Sequence, residues 1–142
     1  MGARSARSGV CLTVELVTAF LGEQPDVDAG WLFGSEAQDA ARPDSDVDVA
    51  ILFAGDVSNA QAVFRRGIMM DDLRARLGRR VDVLDVARVS PRVFASVMRH
   101  ARLLFERNPA HRVEALARQY AFWQDMQEHY RLQRESLKAF FG

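Results

Sequence analysis

The chain has 142 residues, 49% of them hydrophobic and 27% charged, which fits one globular domain with a core of its own. Nineteen Lys and Arg balance nineteen Asp and Glu, and locally six basic residues face five acidic ones from Glu106 to the end, so no overall field draws the chain to nucleic acid or to a membrane surface. The single cysteine, Cys11, rules out an internal disulfide and has no metal-binding companion, and no apolar run approaches the roughly 20 residues that span a bilayer.

Arg4 and Arg7 precede the apolar run from Val10 to Val14, but Glu15 interrupts it and no small-residue cleavage site follows; the expected compartment is the cytoplasm. Residues 10–22 read as an amphipathic helix with Leu12, Leu16, Ala19 and Phe20 at helical spacing, closed by Gly22 and Pro25. Residues 30–33 form a short apolar strand running into Gly34-Ser35, and 36–42 a short helix or turn ended before Pro43. Residues 46–53 are a mostly buried strand whose first half alternates acid with valine. Ser58 caps a helix to about Leu77, stopped by Gly78, with Arg74, Arg76, Arg79 and Arg80 crowding its end. Residues 81–86 are another strand, and Ser90-Pro91 opens a helix to about His100. Leu103 to Phe105 form a last edge strand, and Asn108-Pro109 starts a long final helix. Its expected stripe is Val113, Leu116, Tyr120, Trp123, Met126 or Gln127, Tyr130, Leu137 and Phe140. The alternation of strands and helices predicts one α/β domain.

The chemistry lies in Gly34-Ser35 followed by Asp46-Val47-Asp48. Residues two apart on a strand point to one face, so Asp46 and Asp48 project together. Paired carboxylates repel and lose hydration, a cost that a divalent cation between them removes. Hard oxygen ligands with no His or Cys nearby select magnesium, or manganese, over zinc. Gly34-Ser35 at a strand end supplies the complementary half, since exposed amides and the Ser35 hydroxyl can cradle phosphate oxygens. Two-metal chemistry needs a third carboxylate. Asp82 is the candidate because it shares a strand face with Leu84 and Val86, whereas Asp85 points the other way.

Together, Leu32-Phe33-Gly34-Ser35, Asp46-Val47-Asp48 and Val81-Asp82-Val83, with Pro43-Asp44-Ser45 before the acid pair and Leu103-Leu104-Phe105-Glu106 after a later helix, resemble the minimal nucleotidyltransferases of the DNA polymerase-β superfamily. The resemblance covers roughly residues 8–106, with 107–142 a C-terminal helix that belongs to the same domain or binds a partner. It implies an α/β (α+β) nucleotidyltransferase fold with a mixed twisted sheet of about four strands. It further implies two magnesium ions and ATP, or another nucleoside triphosphate, as substrate, with Asp46, Asp48 and Asp82 as metal ligands and catalytic residues. Gly34 and Ser35 become the triphosphate binders. Gln38 and Asp39 stand where such families carry a basic residue and a glycine; Arg42, or the Arg79-Arg80 pair, is the candidate replacement charge.

The small members resemble antitoxins that transfer AMP to a tyrosine of a partner HEPN-domain ribonuclease toxin. Two alternatives remain open on the sequence. One is transfer to a small hydroxyl compound, as in aminoglycoside nucleotidyltransferases, with a homodimer building the pocket. The other is an antitoxin acting by binding alone. His111 and His129, on the final helix, are expected at the surface, and His100 is expected to be structural.

Overall fold

The computed structural model describes residues 2–34 and 45–141, with side chains from Leu12 onward. The elements run α1 (Gly2–Gly22), β1 (Val27–Phe33), β2 (Val47–Phe53), α2 (Asn59–Leu77), β3 (Val81–Asp85), α3 (Pro91–Met98), β4 (Arg102–Glu106) and α4 (Pro109–Phe141). The strands form one mixed sheet in the order β3-β2-β1-β4. β1 is antiparallel to both β2 and β4, while β2 and β3, joined through α2, are parallel. The expected 36–42 turn lies outside the described residues, as does the side chain of Cys11.

The helix ends follow from local chemistry. Ser58 and Gln61 form a reciprocal cap: Gln61 N–H donates to Ser58 Oγ (3.2 Å) and Ser58 N–H to Gln61 Oε1 (2.9 Å). Gly78 closes α2 at φ +63° with its N–H on the Arg74 carbonyl. Ser90 and Asn108 cap α3 and α4 through Val93 N–H and His111 N–H, each with proline as the first helical residue.

Period-two alternation gives the sheet two apolar faces. On one, Val47, Val49, Ile51, Val81 and Val83 pack against Val17, Phe20 and Leu21 of α1 and Ala62, Met69 and Leu73 of α2. On the other, Ala29, Trp31, Ala50, Leu52 and Val86 pack against Phe94 of α3 and Ala115 of α4. α1 approaches β1 closely because Gly30 has no side chain; a Cβ there would run into Leu21 Cδ1.

Two helix faces differ from expectation. In α1 the inward residues are Thr13, Val17, Phe20 and Leu21, while Leu12 and Leu16 are exposed. The apolar spacing admitted both faces, and contact with β1 and α2 selected one. In α4 the buried residues are Ala115 and Gln119, and Val113 faces solvent. Small Ala115 allows close packing. Buried Gln119 is satisfied because its amide donates to the carbonyls of Val86 (2.7 Å) and Val89 (3.0 Å). Tyr120 meets Phe94 edge-on at 4.8 Å between ring centroids. Beyond it only Trp123 and Met126 are half-buried, and every residue from Gln127 to Phe141 is exposed.

His111 also differs. Its Nδ1 lies 2.7 Å from Oδ2 of Asp28, a buried acid at the start of β1, so it fastens the beginning of α4 to the sheet. Among the described residues no helix is long and apolar enough to cross a membrane.

Candidate active site

Three strand ends meet at one end of the sheet. β1 finishes there with Phe33 and Gly34, and β2 and β3 begin there. Asp48 is paired in register with Phe33 on one side and with Asp82 on the other. Adjacent strands lie about 4.8 Å apart, so the Asp48 and Asp82 carboxylates leave neighbouring backbones at the same level. Parity places both on the face of Ala50, Leu52 and Val86, and Asp46 joins them two residues before Asp48. α4 crosses the opposite end, as its contacts with Asp28 and Val86 require. α4 therefore leaves the acids uncovered, with Asp46 and Asp82 exposed and Asp48 half-buried.

The electrostatics follow from this placement. The Asp48 carboxyl is held above its ordinary range, first by burial and then by the negative charges of Asp82 and Asp46. Gly34 adopts φ +72°, a conformation that costs other residues about 1–2 kcal/mol. A Cβ on Gly34 would also strike Asp48 Oδ2. The glycine thus lets the chain turn directly over the acid, bringing its backbone within reach of anything Asp48 binds.

Asp46 is bracketed by the α2–β3 corner. Val47 N–H donates to the Arg80 carbonyl (2.8 Å), and Arg79 Nη2 donates to both the carbonyl (2.7 Å) and the hydroxyl (3.1 Å) of Ser45. Arg79, offered by the sequence as a source of positive charge for phosphate, is engaged instead in holding the residue before Asp46. An Arg-Arg pair after a helix-ending glycine was the signal, but its partner lies 34 positions away. Asp85 is buried facing away from the acids, bonded to Ala87 N–H and Arg88. Ser35, Gln38, Asp39 and Arg42 lie outside the described residues.

The donor set at this edge is all oxygen, as magnesium or manganese prefers. Among the described residues no three His, Cys, Asp or Glu side chains gather closely enough to hold an ion unaided. An open array is compatible with magnesium, which usually takes one or two protein carboxylates and completes its shell with water and substrate phosphates. The residues present therefore fit a metal bound together with a nucleotide.

Comparison with solved structures places the fold. A chain of a toxin–antitoxin complex crystallised with AMP-PNP matches with a TM-score of 0.69 and 20% identity, over 88% of this chain and 98% of that one. A chain from the tri-AMPylated Shewanella oneidensis HEPN toxin in complex with its MNT antitoxin gives 0.66 and 18%, over 91% and 98%. One from the MntA–HepT toxin–antitoxin complex gives 0.65 and 19%, over 89% and 97%. At these identities the likeness is one of fold. No curated protein matches the sequence. The model of the family "Polymerase beta, Nucleotidyltransferase" matches residues 15–110, the stretch that carries Gly34 and the three acids. The chain belongs to the polymerase beta nucleotidyltransferase family.

Proposed function

We propose that this nucleotidyltransferase moves AMP from ATP to a tyrosine hydroxyl of a HEPN-type partner protein and silences that partner as an antitoxin. The observation that carries the reading is the in-register pairing of Asp48 with Asp82 beneath Gly34, with Asp46 on the same face. Support for the substrate comes from structures of the same fold whose names record AMP-PNP, an MNT antitoxin and an AMPylated HEPN toxin.

In this reading Asp46 and Asp48 hold two magnesium ions, with Asp82 completing the set. Such ions, when bound, neutralise phosphate charge and acidify the acceptor hydroxyl. The chain's own part is positional. Gly34 and Ser35 hold the triphosphate through backbone amides and a hydroxyl, and the Arg79–Ser45 clasp keeps Asp46 in place. Asp82, on edge strand β3, faces the side from which an acceptor arrives and takes the tyrosine proton. The phenolic oxygen attacks the α-phosphorus in line, a new O–P bond forms, and the bond to the β-phosphate oxygen breaks to release pyrophosphate. Arg42 is assigned to the triphosphate as compensation for Asp39.

Incubating the chain with ATP labelled at the α-phosphate, magnesium and the HEPN protein from the adjacent gene tests this. The expected result is label on a HEPN tyrosine, lost when Asp46→Ala and Asp48→Ala are combined. Silencing that survives this double substitution would show inhibition by occlusion, and label appearing only on small hydroxyl compounds would point to a small-molecule enzyme.

A further inference from the structure

The face of α4 that packs on the body does not stop where the body stops. Ala115 and Gln119 are the buried positions, and the same face continues through Trp123, Met126, Tyr130, Gln133, Leu137 and Phe140. From Trp123 the steps alternate three and four residues, the spacing of a seam that receives another helix. Tyr130 is 53% exposed, Leu137 55% and Phe140 82%. Gln119 touches the chain just past the end of β3, Tyr120 and Trp123 still lie along α3, and the exposed stretch from Gln127 to Phe141 runs on for about 22 Å. Asp82 lies four residues back along β3 from Val86, about 13 Å. A protein lying along the projecting helix therefore stands beside the open edge that carries Asp82.

Charge identifies the occupant. A cleft of about 820 Å³ runs between Arg92 of α3 and the start of the seam, with Glu128, Arg131 and Arg134 as the charged residues of its α4 wall. Arg131 is committed to Glu128 (2.6 Å) and Glu135 (2.9 Å), which neutralises the acids behind it. Arg92, Arg134 and Lys138 form no ion pair among the described residues. The seam is thus apolar along its centre apart from Gln133, and carries Arg134 and Lys138, cations without an ion pair among the described residues, along one edge. In an antiparallel two-fold pairing a second copy would set Arg134 against its own equivalent, whereas a helix edged with carboxylates meets it.

We propose that the α4 seam from Trp123 to Phe140, together with the Arg92 cleft, docks one amphipathic helix of the protein acceptor whose apolar face is bordered by acidic residues. This rests on the reading of a protein acceptor given above and adds where that acceptor binds. Leu137→Glu and Arg134→Glu alter exposed positions, so the fold is retained. Each variant, with the wild-type full chain, is titrated with the HEPN protein from the adjacent gene, following Trp123 fluorescence and AMP transfer. Expected are at least a tenfold weaker complex and a tenfold higher KM for the HEPN protein, with kcat at saturation and ATP binding unchanged. Salt should weaken the wild-type complex more than that of Arg134→Glu. Wild-type affinity in both variants, with transfer intact, would overturn the docking site and leave the enzymatic reading standing. Seam-dependent binding without transfer of AMP would do the reverse. Absence of wild-type binding would remove both. A dimer of the chain alone that Leu137→Glu dissolves, with HEPN binding unaffected, would assign the seam to a second copy and overturn the proposal.

Discussion

In the proposed function, Asp48 is the residue at which stability and activity pull in opposite directions. Its carboxyl is raised by burial, Asp82 and Asp46, so the folded chain binds its proton more tightly than the unfolded chain does. By linkage, the contribution of this group to stability is full at low pH and declines as pH rises from the ordinary carboxylate value of 3.8 through the raised one. Asp48→Asn should accordingly stabilise the metal-free protein at pH 7. Solvent screening of the half-buried group limits the gain to roughly 1 kcal/mol, or about 2–4 °C in Tm. The same substitution should abolish AMP transfer; differential scanning calorimetry beside the labelled-ATP assay checks both. Gly34→Ala is expected to act in the opposite sense on stability. It forces alanine to φ +72° against Asp48 Oδ2, costing about 1–2 kcal/mol by chemical denaturation, and it should lower transfer at least tenfold by displacing the acid. The acids were legible in the sequence because a strand has period two and three aspartates fall on compatible parities. Arg79's grip on Ser45 was not, since it joins segments that only the β2–β3 pairing brings together.

Among the elements, α2 and α4 show how single polar side chains fasten helices to the sheet. Arg65 of α2 donates to both oxygens of Asp26 (2.7 and 3.2 Å) and to Gln24, and this bonding holds the Asp26 carboxyl below its ordinary value. The sign is the usual one for a paired acid. The contribution is present above the unfolded value of 3.8 and is lost as pH falls through the lowered folded value. Asp26→Asn should therefore destabilise by roughly 1 kcal/mol at neutral pH, and the difference from wild type should vanish in acid, as urea melts at pH 7 and below pH 3 would measure. Gln119→Ala should cost about 1–3 kcal/mol, because it leaves the buried carbonyl of Val86 and the half-buried one of Val89 without their amide partner. Caps and turns at this scale were written locally, in Ser58 with Gln61, in Gly78 and in Ser90-Pro91. The inward faces of α1 and α4 were not, because apolar residues lie on more than one side of each helix and the neighbouring element chooses between them.

For the molecule as a whole, the sheet builds the site at one end, while α4 crosses the other and continues past edge strand β3. Removing residues 128–142 deletes only exposed side chains among those described, so it should change Tm by no more than a few degrees. If the distal helix serves the acceptor, the shortened chain should still bind ATP, yet transfer AMP to the HEPN protein at least tenfold less efficiently.

The sequence by itself determined the strand–helix order, most helix ends and the Gly34, Asp46, Asp48 and Asp82 constellation, because capping, parity and the Gly-Ser to Asp-x-Asp spacing are written within short stretches of chain. Tertiary structure alone decided that Asp82 stands level with Asp48, that Gly34 closes over that acid, and that His111 and Gln119 fasten α4 far from the site. Those outcomes depend on strand register and helix packing between residues tens of positions apart, where the winning contact is set by the shape of the whole core.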